Sequence, residues 1–157
     1  MQKIIPNLWF NFNAEEAVNF YVSLFDNSKI LSVSRYGEHG PAPAGTVLTM
    51  KFTLDGQEFL AINGGPEFRF TEAVSFLVNC TSQEEVDRLW SKLLEAGGEE
   101  QACGWLKDRF GLSWQIIPTV LGELMSDPDP QKAGRVTMAM LQMKKIDIAG
   151  LHAAYDG

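Results

Sequence analysis

The sequence predicts an α+β fold built from two copies of a strand, helix and three-strand module (βαβββ). Residues 13–25 align without a gap with residues 82–94, and this repeat divides the chain into modules of about 1–70 and 71–157. A short apolar segment precedes each repeated stretch, and several strand-like segments separated by turn residues follow it. We therefore expect residues 1–157 to form a single domain of two modules.

Each module begins with a strand that leads into a helix. Residues 4–12 and 73–80 are rich in aromatic or β-branched side chains, as strands are. Asn13 and Ser82 are residue types that cap helix N-termini, and a glutamate follows each of them three positions later. Apolar residues then recur at helical spacing in both copies, so we expect each helix to pack one face on a sheet.

Turn residues separate the remaining strands of the first module. Strands are predicted at residues 29–36, 46–54 and 58–63. The pair Asp55-Gly56 between the last two is typical of a two-residue hairpin, because both residues tolerate positive φ. The first module is thus complete by about residue 63.

The second module has a less regular strand pattern. Gly97-Gly98 ends its helix, strands are expected at residues 101–106 and 112–118, and residues 108–111 form the turn between them, with Asp108 organising it. One further strand should come from residues 136–143, which could equally be a short helix followed by a strand. Beyond it, Asp147 is the expected N-cap of a helix over residues 148–155.

Composition excludes several classes of partner. The chain carries 13 basic and 20 acidic residues, a formal net charge of −7, and its basic residues form no stripe, so we expect no nucleic-acid partner. No segment reaches the roughly 18 consecutive apolar residues of a membrane span, and no signal-peptide pattern opens the chain, which predicts a cytoplasmic protein without a membrane partner. Cys80 and Cys103 form no C-x-x-C pair and are expected to be reduced thiols.

Four blocks carry a family resemblance over nearly the whole chain. They are LWFNFNAEEAVNFYVSLF, VLTMKFTLDGQEFLAINGGP, GWLKDRFGLSWQIIP and AMLQMKKIDIAGL, in this order. Together they resemble the PhnB-like branch, labelled demethylubiquinone methyltransferase-like, of the vicinal oxygen chelate superfamily. That superfamily includes glyoxalase I, bleomycin-resistance proteins and extradiol dioxygenases. The resemblance implies two modules that form a curved mixed sheet around a pocket.

In the superfamily a divalent metal is bound by one side chain from the first and last strand of each module. The matching positions here are Pro6, Leu60, Ser75 and Gln115. None of them offers the imidazole or carboxylate that Zn, Fe or Mn requires. We therefore predict neither the superfamily metal nor another cofactor.

The same resemblance places a set of side chains at the pocket. Alternation along residues 112–118 puts Ser113, Gln115 and Ile117 on one face, and the superfamily geometry points Gln115 into the cavity. A neutral amide there suits a polar organic ligand. The predicted ligand-binding residues are Gln115, Trp105, Trp9, Asn11, Asn63 and Ser75. Core packing is the alternative for each aromatic residue, and a plain turn is the alternative at Asn63-Gly64-Gly65-Pro66; no catalytic residue is assigned.

Two functions remain open at this point. The first is a small-molecule-binding protein in the manner of the bleomycin-resistance relatives, without the superfamily metal. The second is an enzyme of the same superfamily, a lyase, dioxygenase or methyltransferase-like protein, that uses a metal held by other ligands or no metal. The sequence has no glycine-rich turn between a strand and a helix of the kind that holds a methyl donor. Because curved open sheets leave exposed edges, which relatives cover by pairing subunits, a homodimer is also expected.

Overall fold

The computed structural model describes residues 2–157 as an α+β protein with two four-stranded mixed sheets. The chain divides into two compact units, one ending at Arg69 and the other beginning at Phe70. Each unit contains one sheet with its own helix packed against it. The predicted fold class is confirmed.

The first unit follows the predicted order of elements. These are β1 (Asn7–Phe10), α1 (Ala14–Leu24), β2 (Lys29–Arg35), β3 (Val47–Leu54) and β4 (Gln57–Asn63). Its strand order is β1-β4-β3-β2, with β1 parallel to β4 and the other neighbours antiparallel. The predicted hairpin is present, because Asp55 and Gly56 have φ of 49° and 78° and connect paired β3 and β4.

The second unit repeats this topology. Its first elements are β5 (Ser75–Cys80), α2 (Gln83–Leu94), β6 (Glu99–Glu100), β7 (Trp105–Lys107) and β8 (Ser113–Pro118). The order β5-β8-β7-β6, with β5 parallel to β8, matches that of the first sheet. Ser82 caps α2 as predicted: its hydroxyl accepts a hydrogen bond from the Glu85 backbone at 3.1 Å, and the Glu85 carboxylate accepts one from the Thr81 backbone at 2.8 Å.

Three helices complete the second unit: α3 (Thr119–Met125), α4 (Pro130–Leu141) and α5 (Ile148–Asp156). The prediction of a strand within residues 136–143 is wrong, because α4 runs through nearly all of them. Pro130 occupies the first turn, and the Asp129 side chain accepts a hydrogen bond from the Gln131 backbone, so strong helix-start signals lie upstream. The two-residue β6 supplies the strand that the module needed. Within residues 2–157 no helix combines the length and apolar character needed to cross a membrane.

The C-terminal helices pack around an apolar cluster of their own. Leu121, Val136, Ile146 and Leu151 are 4% exposed or less. Ile117 of β8 packs against this cluster, which joins the helices to one end of the sheet. Backbone bonds reinforce the junction, since the amides of Cys103 and Gly104 donate to the carbonyls of Met143 and Lys144, both at 2.8 Å.

Candidate functional site

The face of the second sheet turned away from α2 carries the polar residues of interest; we call it the second open face. Leu106, Trp114 and Ile116 are buried on the helix side, so the alternating residues of β7 and β8 lie on the opposite side. The strand register arranges these residues in two neighbouring rows. One row is Ser75, Ser113 and Lys107, and the other is Leu77, Gln115 and Trp105.

Three of the predicted site residues meet on the second open face. The Gln115 side-chain amide donates a hydrogen bond to the Ser75 hydroxyl at 2.9 Å, across the parallel pair β5 and β8. Trp105 lies directly opposite Gln115 on β7. All three side chains are half-buried, so they combine partial shielding from water with access from outside. A hydroxyl, an amide and an indole side by side can orient a small organic molecule.

Ser113 is a polar residue that sequence reasoning placed on this face without assigning it to the site. It is fully buried, and among residues 2–157 its hydroxyl oxygen has no hydrogen-bond partner. Leaving a buried hydroxyl unpaired costs about 1–3 kcal/mol, so such a group in a folded protein calls for an explanation. Alternation with Gln115 was the sequence signal that could have identified it.

Lys107 lies at the end of the Ser113 row, one position past the strand predicted at residues 101–106. It instead belongs to β7, and its side chain is only 27% exposed. Its ammonium group contacts the Glu72 carboxylate at 3.0 Å, and the Gln101 amide donates to the same carboxylate at 3.5 Å. The hydrogen bond from Lys107 holds the pKa of Glu72 below its usual range. The second open face therefore contains a cation.

The helical cluster closes the opposite end of this face. Ile117 shares the face of Gln115 and Ser113 but packs against the C-terminal helices. Gly104 permits the contact: its φ is +83°, and a Cβ there would lie 2.8 Å from Ile117 Cδ1 and 3.1 Å from Ile146 Cγ1. The apolar end of the face is thus covered, and the polar end with Gln115 lies beyond the cluster.

Trp9 lies on β1, and its indole packs within its own module. The indole nitrogen donates to the Gly65 carbonyl at 3.0 Å, and the ring meets Phe68 edge-on with centroids 4.9 Å apart. A Cβ at Gly64 would lie 2.2 Å from the indole, so only glycine permits this approach. Asn11 lies in an exposed bend just after β1.

Asn63 is buried at the end of β4, and its side-chain amide bonds to the backbone. Its oxygen accepts a hydrogen bond from the Ala14 amide at 3.0 Å, and its nitrogen donates to the Val47 carbonyl at 2.9 Å. The side chain of the expected cap Asn13 makes no capping hydrogen bond, so Asn63 satisfies the N-terminus of α1 in its place. These contacts give Asn63 a structural role that sequence patterns did not indicate.

Asp108 organises the turn before β8, as expected, and its role extends further. One carboxylate oxygen accepts hydrogen bonds from the backbone amides of Phe110 at 2.8 Å and Leu112 at 3.1 Å. The other accepts a bond from the Trp114 indole at 2.9 Å, and Asp108 is only 3% exposed. This buried carboxylate fixes the turn that leads into the strand of Gln115.

The donor set at the superfamily metal positions does not fit a divalent metal. Pro6 and Leu60 have no side-chain donor, and Ser75 and Gln115 are neutral and bonded to each other. Over the described residues 2–157, no group of three or more His, Cys, Asp or Glu side chains is arranged to hold a metal ion. His39 lies in an exposed turn.

The two cysteines form no disulfide. Cys80 is fully buried, and burial raises the pKa of its thiol to about 12, so the reactive thiolate is scarce at neutral pH. Cys80 is therefore not an activated nucleophile. Cys103 is half-buried and adopts a positive φ of 61°.

A shallow cleft of about 630 Å³ lies between α4 and α5, lined by Pro130, Gln131, Gly134, Arg135, Met138, Ala154 and Gly157. Its one charged side chain, Arg135, already donates to the carbonyls of Ala154 at 2.9 Å and Tyr155 at 2.7 Å. The cleft thus offers little polar recognition compared with the second open face.

The duplicated βαβββ topology is that of the glyoxalase and bleomycin-resistance superfamily. Within this superfamily the chain is PhnB-like. Residues 2–117 match the family model described as 3-demethylubiquinone-9 3-methyltransferase. The chain belongs to that family. The match ends within β8, so α3, α4 and α5 lie beyond it.

Solved structures agree with this assignment. A PhnB protein from Bacillus cereus, titled a putative 3-demethylubiquinone-9 3-methyltransferase, is 44% identical, with a TM-score of 0.71 over 75% of this chain and 100% of its own. A protein from Pseudomonas aeruginosa is 24% identical, with a TM-score of 0.62, and the match covers 75% of this chain and 98% of that protein. A fosfomycin resistance protein from Listeria monocytogenes shares the fold at 15% identity and a TM-score of 0.54. The match covers 78% of this chain and 97% of that protein. No curated protein matches the chain.

Proposed function

We propose that this protein binds a small organic molecule on the second open face, at the end that carries Gln115. The observation that supports this most directly is the cluster of Gln115, Ser75 and Trp105, two hydrogen-bonded polar side chains beside an indole, all half-buried. Flat aromatic surface with a few polar groups is typical of small-molecule sites. Trp9, on β1, and Asn11, just past its end, remain proposed ligand-binding residues of the first unit.

The family label names methyl transfer, but the segments that connect strands to helices in this chain favour ligand binding without methyl transfer. A methyl donor is usually held where a glycine-rich turn connects a strand to a helix N-terminus. Within residues 2–157 three strands lead into a helix: β1 through residues 11–13, β5 through residues 81–82, and β8 directly into α3. None of these connections contains glycine. The neutral donors on the second open face instead suit recognition of an uncharged or anionic organic group.

An enzyme of the same superfamily, with a metal on other ligands or with none, is the competing function. Metal analysis of the purified protein distinguishes it, followed by activity assays with and without a chelator. Stoichiometric Zn, Ni, Mn or Fe, or activity that the chelator abolishes, would favour the enzyme.

The Gln115→Leu substitution tests the binding proposal. We expect ligands found in a thermal-shift screen of organic fragments to bind at least about tenfold more weakly to this variant, because one good hydrogen bond to a ligand is worth about 1.4 kcal/mol. Calorimetric titration measures the change. Gln142→Leu makes the same replacement at the exposed C-cap of α4 and should leave affinity unchanged. Equal affinity for all three proteins would refute a site at Gln115.

We also propose a cytoplasmic homodimer. Each four-stranded sheet has two edge strands, and such edges pair readily with another chain. The two unpaired cysteines suit a reducing compartment. Light scattering of the purified protein would show twice the 17.5 kDa chain mass if the dimer forms.

A further inference from the structure

We propose that the ligand of the second open face is a planar aromatic anion, whose oxyanion is bound by Lys107 and Ser113 and whose ring lies against Trp105. This inference rests on the proposed binding function and adds the chemical class of the ligand. It assigns binding roles to Lys107 and Ser113, which the sequence analysis did not place in the site.

The first argument is the pairing of a cation with a hydroxyl that has no protein partner. Ser113 and Lys107 are directly opposed on β8 and β7, so their side chains point to the same face. Ser113 is fully buried, and no residue among 2–157 bonds to its hydroxyl. Carboxylate and phosphate oxygens accept hydrogen bonds from hydroxyl and ammonium groups together, and such charge-assisted bonds are strong.

The second argument concerns Glu72, the present partner of Lys107. Its side chain is 50% exposed and lies in the segment before β5, so it is not fixed by burial. An ion pair of this kind contributes little to stability and can be exchanged at small cost. A carboxylate on the ligand can therefore replace the Glu72 carboxylate at Lys107, because the same type of group then accepts the ammonium hydrogen bond.

The third argument is the spacing of the two rows. Ser113 and Gln115 are two residues apart on β8, which is about 7 Å along a strand. Trp105 lies opposite Gln115, and Lys107 lies opposite Ser113. Trp105 and Lys107 are therefore separated by the same distance along β7 as Gln115 and Ser113 are along β8. A carboxylate attached directly to a fused ring system spans this offset with its ring on Trp105.

A matched pair of probes tests the proposal: 2-naphthoate, and 2-naphthamide, which has the same ring and no charge. We expect the wild-type protein to bind 2-naphthoate at least tenfold more tightly in calorimetric titrations at pH 7. Lys107→Met should abolish this preference, and Ser113→Ala should reduce it several-fold. Lys144→Met, an exposed lysine in the α4–α5 connection, is the control and should keep the preference.

Glu72→Gln provides a test that misfolding cannot imitate. Removing the competing carboxylate should tighten binding of 2-naphthoate about threefold or more and leave 2-naphthamide unchanged. Equal affinity for the two probes, or unchanged 2-naphthoate binding in both Lys107→Met and Glu72→Gln, would overturn the anion proposal.

The outcomes also separate this inference from the binding function. If neither probe binds while the fragment screen yields neutral ligands that depend on Gln115, the anion proposal fails and the binding function stands. If the screen yields no ligand that depends on Gln115, both fail.

Discussion

Asp108→Ala is expected to lower the free energy of unfolding by about 3 kcal/mol or more, because three donors, two of them buried, lose their acceptor at once. These donors are the backbone amides of Phe110 and Leu112 and the indole of Trp114. Alanine offers no oxygen to any of them, and the turn into β8 loses its fixed shape. Urea unfolding followed by tryptophan fluorescence measures the loss.

Two further variants show whether the hydrogen bonds are the cause. Asp108→Asn keeps one acceptor oxygen for the turn but presents an amide nitrogen that cannot accept from Trp114, so its loss should be intermediate. Asp26→Ala removes an exposed aspartate and should change stability by no more than about 0.5 kcal/mol. A loss below about 1 kcal/mol for Asp108→Ala would contradict the role assigned to this carboxylate.

Leu151→Ala is the second change with a large expected effect. Leu151 is fully buried in the cluster formed by the C-terminal helices, and deleting such a leucine side chain costs about 2–5 kcal/mol. The family match ends before these helices, yet their cluster packs against Ile117 of β8. We therefore expect one cooperative unfolding transition of the second unit, shifted to lower urea concentration.

The chain offers a matched control for this substitution. Leu141 is 49% exposed near the end of α4, and Leu141→Ala should change stability by no more than about 0.5 kcal/mol. Similar small losses for both variants, or a separate early transition in Leu151→Ala, would show that the helices are loosely attached to the sheet.

Local sequence signals were sufficient to predict turns and helix caps whose hydrogen bonds join residues close together in the sequence. The hairpin at Asp55-Gly56 and the cap at Ser82 follow from residue types a few positions apart, and both are present. The corresponding cap at Asn13 failed because Asn63, fifty residues away, supplies the acceptor to the first turn of α1. No pattern within one segment could reveal that contact.

Residues 136–143 show a different limit of predicting secondary structure from the sequence. A strand was expected there because the second module needed one more, but the residues that start α4 lie upstream, at Asp129 and Pro130. The helix then buries Val136 in the C-terminal cluster. The position of that cluster depends on tertiary packing, which the residues of one short segment do not reveal.

The candidate site was also predictable only in part. Alternation placed Gln115 and Ser113 on one face, but only the strand register brings Ser75 to Gln115 and Lys107 to Ser113. The predicted strand ended at residue 106, so the sequence did not show that β7, Trp105–Lys107, includes Lys107. Register is a property of paired strands, and a single segment does not specify it.

The indole resonances of the four tryptophans test the location of the ligand site most directly. The indole nitrogens of Trp90 and Trp114 are buried and donate to Glu100 and Asp108, each at 2.9 Å, whereas Trp105 lies on the second open face. In a ¹H–¹⁵N NMR titration with 2-naphthoate or a fragment from the screen, we predict that the Trp105 signal shifts while those of Trp90 and Trp114 stay in place. Movement of Trp90 or Trp114 with a stationary Trp105 would contradict a site on this face.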